Sequence, residues 1–323
     1  MRIISMVRFP VIALAFLTCI VSAHAQSDYP DRPVHVIVPS APGGGTDTAA
    51  RVLADYLSRS MGQQFVVENR PGAAQLIGIE AASRAAADGY TLLVAASPIT
   101  IIPAVNDKAR YNVLRDFAPI SQLISVPSIL VVDPKLPFRS LAEFIAAAKQ
   151  RPGEMNYASA GTGTQPHMAM ELLKSMAGID VRHIPYKGVA PALTDLIAGR
   201  TSAMFVNMIS VKAHVDTGAL RALANSNAKR ASVMPDVPTV AEAGVPGFEA
   251  MQWFGLFAPA GTPAAIVERL QKETALALHS PAMTARLAAD GAEAVGNTPA
   301  EFTAVVKSEL DKWERVAKAA HLK

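Results

Sequence analysis

The segment "DFAPISQLISVPSILVVDP", residues 116–134, is largely apolar, punctuated by proline and too long for a single strand of ordinary length. A second segment, "GFEAMQWFGLFAPAGTP" at 247–263, has the same extended, proline-rich character. Such a pair reads as two strands crossing between lobes, one outward and one returning. The residues they enclose then form one lobe, and the two ends of the chain form the other.

The rest of the chain follows a different rhythm. Short apolar runs of β type occur at 35–38, 65–68, 91–95, 129–132, 155–158, 181–184, 203–206 and 220–224. Between them the apolar period lengthens to that of a helix. Ala49, Leu53, Leu57 and Met61 make one stripe, Val189, Leu193 and Ile197 another, and Phe302, Val306, Leu310 and Trp313 a third. Alternation of this kind predicts an α/β fold in which mainly parallel sheets are covered by helices on both faces. The expected division is 26–121 with 253–323 as the first lobe and 122–252 as the second.

Composition agrees with a two-lobed globular protein: 323 residues, 50% hydrophobic and 18% charged. The formal charge of +3 overstates any basic character. Arg2 and Arg8 are the only charged residues before Gln26, so 30 − 2 = 28 basic residues remain against 27 acidic ones. That balance carries no footprint for nucleic acid.

The opening "MRIISMVRFPVIALAFLTCIVSAHA" places basic residues before an apolar run and ends on Ala-His-Ala. It reads as a secretory signal peptide, 1–25, with the mature chain starting near Gln26. The apolar run is shorter than a membrane span needs. Thr18 before Cys19 makes a poor lipoprotein signal. Cys19 is the only cysteine, so the mature chain is expected to hold no disulfide, thiolate metal site or cysteine nucleophile. The expected destination is a bacterial periplasm.

Ligands in open parallel sheets gather where strands end and helices begin. In "VIVPSAPGGGTDTAARVLADYL", 36–57, three glycines lead from a strand into a helix. Free amides at such a turn favour an anion. The phosphate-loop lysine is missing, and Asp47 opposes a polyanion, so one carboxylate is the better guest. Thr46 or Asp47 is expected to cap the helix. A matching turn lies in "YASAGTGTQPHMAMELL", 157–173, and Ser97 ends a third strand. Together these turns would line a cleft suited to a carboxylate.

Enzymatic readings have weaker support. Ser159 sits between strand and helix, but Tyr157 occupies the place of the first glycine in GxSxG. A secreted serine hydrolase using Ser159, with partners drawn from His183, Asp195 and His214, is the alternative from another class. The histidines after residue 26 form no HxxxH or HExxH pair, so no metal and no cofactor are expected. His167, in the first turn of its helix, could reach the cleft or be satisfied by nearby backbone.

The ordered motifs "YPDRPVHVIVPSAPGGGTDTAARVLA", "VVENRPGA", "AADGYTLLVA", "DFAPIS", "YASAGTGTQPHMAMELL", "IPYKGVAPALTDLIAGR", "LRALA", "MPDVPTVAEAGVPGFE" and "WFGLFAPAGTP" resemble the Bug family along the whole mature chain. These are periplasmic solute receptors of tripartite tricarboxylate transporters. The resemblance implies a two-lobed, Venus-flytrap binding protein that takes up a small organic carboxylate without altering it. The implied partners are the membrane components of such a transporter, with the receptor itself a monomer. A sensory role, delivering the ligand to a membrane kinase, is the remaining alternative.

By the same resemblance, Pro42, Gly43 and Gly44 are expected to contact one carboxylate through backbone or water, with Ser97 beside them. Ala160, Thr162 and Thr164 would donate from the second lobe, and His167 would be an extra donor. Two departures bear on the ligand. Where the family commonly has Gly-Gly-Asn, this chain has Ala74, Gln75 and Leu76; where many members have an aspartate, Val206 precedes Asn207. Loss of that carboxylate argues against an amino acid. Leu76, Val206 and the pair Trp253–Phe254 would make the far wall apolar if they face the cleft, although Phe254 is better read as packing the lobe interior. The expected ligand is a dicarboxylate with an apolar middle, either an aromatic, terephthalate-like diacid or a medium-chain aliphatic one. Its far carboxylate would meet Asn207, Tyr186 or water, whereas citrate would bring polar groups against apolar walls.

Overall fold

The computed structural model describes residues 29–289 and 291–322. The segment read as a signal peptide, 1–25, lies outside the described residues. Two sheets organise the chain. The first contains β1 (Val34–Val38), β2 (Phe65–Asn69), β3 (Thr91–Ala96), β4 (Phe117–Val126), β10 (Gln252–Pro259) and the short β11 (Glu293–Ala294), in the order β11-β4-β10-β3-β1-β2. The second contains β5 (Ser128–Val132), β6 (Asn156–Ser159), β7 (Arg182–Pro185), β8 (Ala203–Asn207) and β9 (Arg221–Asn225), in the order β7-β6-β8-β5-β9.

Each sheet is parallel except for a strand contributed by a crossing segment and, in the first sheet, the short β11, which is antiparallel to β4. Strands β4 and β5 are separated by Pro127 alone, so the chain passes straight from one sheet to the other. Having entered at the inner end of the second sheet, β5 must run outward, antiparallel to β8 and β9. On the return β10 enters the first sheet in the same way, antiparallel to β3 and β4. The carboxyl ends of β1 and β3 therefore face those of β6 and β8 across the gap between the lobes.

Both sheets are covered on both faces. On the first, α1 (Gly45–Met61) and α9 (Ala264–Leu278) lie on one side. The other side is covered by α2 (Leu76–Ser83), α3 (Pro98–Val105) and the start of α11 (Pro299–Ala319). On the second sheet α5 (Leu141–Gln150) and α6 (Gln165–Ala177) cover one face, α7 (Val189–Ile197) and α8 (Met208–Asp216) the other. Leu53 and Leu57 of α1 are buried, each worth about 1.5–3 kcal/mol. Ile197 ends its stripe exposed, because α7 stops there.

Helix α11 ties the lobes together. Phe302 and Val306 pack under the first sheet, while Trp313, Val316 and Ala317 join the core of the second lobe beside Ile101 of α3. Its approach to β10 needs a glycine: a Cβ at Gly255 would stand 2.2 Å from Cζ of Phe302. Pro119 is tolerated in β4 because short β11 pairs only with Ser125 and Ile124, leaving the strand an edge at that point.

Candidate functional site

The turn from β1 into α1 is held by one buried carboxylate. Oδ2 of Asp47 accepts the amide of Gly43 at 2.8 Å and Nε of Arg51 at 3.0 Å, and Oδ1 accepts Nδ2 of Asn69 at 2.9 Å. The Arg51 bond, helped by Gly43 and Asn69, holds this carboxyl down at about 2, against the opposing effect of burial. Gly44 is the N-cap and no side chain caps the helix. This corrects the expectation that Thr46 or Asp47 does so. Asp47 stands at the third helical position, so its carboxylate reaches back to the turn instead of to the first helical amides. The amide of Gly43 is thereby bonded within the turn.

Three polar atoms nearby are buried without a hydrogen-bond partner among the described residues: Oγ of Ser40, Oγ of Ser97 and Nε1 of Trp253. Ser40 follows β1, Ser97 follows β3 and Trp253 opens β10, and these strands are adjacent. The amide of Ser97 donates to the carbonyl of Trp253 at 2.8 Å, which joins two of the three directly. A buried donor without an acceptor costs about 1–3 kcal/mol, so three at one sheet end call for a physical reason. Anion binding supplies one.

In the second lobe, the turn from β6 into α6 is braced by its own side chains. Oγ of Ser159 accepts the amide of Gly161 at 3.1 Å and lies 2.6 Å from Nε2 of His183. Oγ1 of Thr164 donates to the carbonyl of Gly161 at 2.6 Å, and α6 consequently begins without a side-chain cap. By contrast Asn112 caps α4 (Val113–Asp116), while Ser140, Asn207 and Thr298 cap α5, α8 and α11, each worth about 1 kcal/mol. Uncapped starts occur at the three helices that follow the candidate turns, α1, α3 and α6, and also at α2, α7 and α9. Thr162 is exposed at the tip, and Ala160 is half-buried behind it.

His167 is tied into its own turn through one ring nitrogen. Its Nδ1 accepts the amide of Gly163 at 3.1 Å, and its ring stacks on His183 with centroids 4.1 Å apart. Burial, reinforced by Lys174, pulls His167 down to about 4. Burial and then His167 do the same to His183. Both rings are neutral at pH 7. Tyr157 stacks on His183 and donates to Glu171 at 2.5 Å, so the pair has a polar backing.

The remaining predicted residues divide by strand face. Leu76 and Trp253 pack in the same core with Phe302, and Val206 is buried with Ile129 and Met204. Alternation along β8 and β10 turns Val206 and the ring of Trp253 toward the covering helices, while Leu76 packs there from the first turn of α2. Phe254, adjacent to Trp253, faces the opposite way: it packs with the α1 side of the sheet and lines a cavity there. Asn207 lines the same cavity, its Oδ1 bonded to the amide of Ser210 at 3.0 Å. Tyr186 is half-buried, its hydroxyl donating to Asp195 at 2.7 Å. Pro42 is exposed on the first turn. Sequence reasoning missed Ser40 and the internal role of Asp47; the place of Ser40 directly after a strand was the available signal.

The hydrolase alternative fails on geometry. Asp195 pairs with Tyr186 and with Arg200 at 2.5 Å, not with His183. Ser159 is fully buried and committed to its turn. Among the described residues no group of three or more His, Cys, Asp or Glu side chains could hold a metal ion, and no helix is long and apolar enough to cross a membrane.

Residues 49–322 match the tripartite tricarboxylate transporter family receptor, TctC. The chain is 41% identical over 311 residues to Protein BugT of Bordetella pertussis, covering 95% of each. Rpa4515 of R. palustris, solved with adipate, is 39% identical with a TM-score of 0.78, over 91% of this chain and 99% of that one. MatC (Rpa3494) from Rhodopseudomonas palustris, solved with bound malate, is 32% identical with a TM-score of 0.75, over 90% of this chain and 100% of that one. The two-lobed architecture and the non-enzymatic character are shared across this set. The chain belongs to the TctC family of tripartite tricarboxylate transporter receptors, periplasmic binding proteins that carry a solute without reacting with it.

Proposed function

We propose that residues 1–25 export this receptor to the periplasm, where it captures a dicarboxylate with an apolar middle and passes it, as a monomer, to the membrane components of a tripartite transporter. The observation that carries the reading is the set of unpartnered buried groups on Ser40, Ser97 and Trp253, at the end of the first sheet that faces the uncapped start of α6. One carboxylate docks there. Pro42 and Gly44 contribute from the first lobe, and Ala160, Thr162 and Thr164 from the second.

The far carboxylate meets the side-chain amide of Asn207, water, or the hydroxyl of Tyr186 once that hydroxyl gives up its bond to Asp195. No acidic side chain stands beside Asn207 in the sequence, which disfavours an ammonium group and hence an amino acid. Adipate in one relative and malate in another support a diacid. The lobes close about Pro127 and the return into β10; because β4 runs in the first sheet as far as Val126, the boundary lies at Pro127 and not at the expected 121/122.

Thermal-shift titration of the purified protein with adipate, terephthalate, malate, citrate and glutamate tests the reading. At 100 times its dissociation constant a ligand of the folded state stabilises by about 2.7 kcal/mol. The strongest shift is expected from adipate or terephthalate. A response confined to citrate or glutamate would overturn the apolar-middle assignment.

A further inference from the structure

The first lobe holds a cavity of about 390 Å³ on the α1 side of its sheet. Ala49 and Val52 of α1 form one wall and Phe254 of β10 part of the floor. The roof is α10 (Pro281–Ala289), through Met283 and Leu287. The mouth is polar: Thr46, in the first turn of α1, stands on one side and Asn207 of the second lobe on the other. The cavity is therefore continuous with the place where the two lobes meet at the start of α1. Beyond α10, Gly291 lies against Met208 and Val233, so the roof also touches the second lobe.

A cavity with such walls holds water poorly and accepts hydrocarbon. Its volume is in the range of ordinary ligand pockets, about 300–1,000 Å³. We propose that this cavity is a hydrocarbon subsite, filled by the bowed methylene chain of a diacid whose near carboxylate sits at the start of α1 and whose far carboxylate returns to Asn207 at the mouth, and that Val52 and Met283 set the chain length accepted. This deepens, and rests on, the carboxylate reading above. The occupant is specific: the apolar part of the same ligand, entering between Thr46 and Asn207. A short polar diacid leaves the cavity unfilled, whereas a longer one removes methylenes from water at about fourfold in affinity for each.

The test is the dissociation constants of succinate, adipate and suberate measured by calorimetry on the purified protein. The same series is run on Val52→Trp and, in case that variant does not fold, on Ala49→Leu. Both positions are only half-buried, which leaves room for a larger side chain at the cavity wall. The protein as it stands should bind adipate at least about tenfold more tightly than succinate, two methylenes at fourfold each. In either variant that ratio should collapse toward one. A ratio near one in the original protein, or a ratio that both folded variants leave intact, overturns the hydrocarbon subsite while the carboxylate reading stands. If none of the three acids binds, the carboxylate reading fails first and the subsite with it.

Discussion

Oγ of Ser159 and Nε2 of His183 lie 2.6 Å apart, but the contact braces a turn and activates nothing. The serine oxygen also receives the amide of Gly161, and His183 stacks on His167, which receives the amide of Gly163. Two histidines thus hold the backbone from 159 to 167 in the shape that leaves the first amides of α6 uncapped. Acceptance of an N–H by Nδ1 of His167 requires that nitrogen to be unprotonated.

Acid should therefore loosen this turn. Both histidines fall from 6.5 to about 4 on folding, with Lys174 as the adjacent cation and Glu171 and Tyr157 as the other ionisable groups against the pair. A depressed histidine pKa means that the unfolded chain takes up the proton first. Stability is expected to decline as pH falls from about 6.5 to about 4 and to level out below. Urea unfolding at a series of pH values, compared with His183→Asn, reads the effect. A variant with an unchanged pH slope in that window would refute it.

Asp47 sets a second, lower window. Its carboxyl is depressed from 3.8 to about 2, so its contribution is present above 3.8 and disappears as pH falls toward about 2. Asp47→Ala should destabilise the protein by about 1.5–3 kcal/mol, as expected for hydrogen bonds to a charged group. It should also release the amide of Gly43 and loosen the first turn, weakening ligand binding. Denaturation midpoints at pH 7, together with a ligand titration, measure both effects.

Trp253→Phe and Ser97→Ala separate binding from stability. Each removes a buried polar group that has no partner among the described residues. Stability without ligand should be unchanged or higher, apart from any small packing loss. Affinity for the carboxylate should drop about tenfold, the equivalent of 1.4 kcal/mol. Equal affinity in both variants would show that these groups do not touch the ligand.

Gly163 is a backbone requirement. Its φ is +76°, and a Cβ there would stand 2.8 Å from Cγ2 of Val105 on α3. Gly163→Ala is expected to cost about 1–2 kcal/mol from the left-handed backbone alone. The clash adds to this by pushing the second-lobe turn away from the first lobe. Weaker binding with a midpoint lowered by several degrees is the expected result; a silent substitution would mean that the lobes do not meet there.

Periodicity and proline placement by themselves determined the α/β alternation, the two crossing segments and the turns that begin α1 and α6. These features are local: strand and helix periods, glycine-rich turns and prolines act over a few residues, and "DFAPISQLISVPSILVVDP" carries its crossing in its own composition. What only tertiary structure decided was which side chain faces which space. Trp253 and Phe254 are neighbours in sequence, but one turns into a core with Phe302 and the other toward α1 and the cavity. His167 and His183 are 16 residues apart and look unrelated until the parallel pairing of β6 with β7 stacks them. Asp47 looked like a helix cap, yet Arg51 and Asn69 draw it back to Gly43. A residue's type limits what it can bond, whereas strand pairing and helix docking, settled by burial across the whole chain, choose its partner.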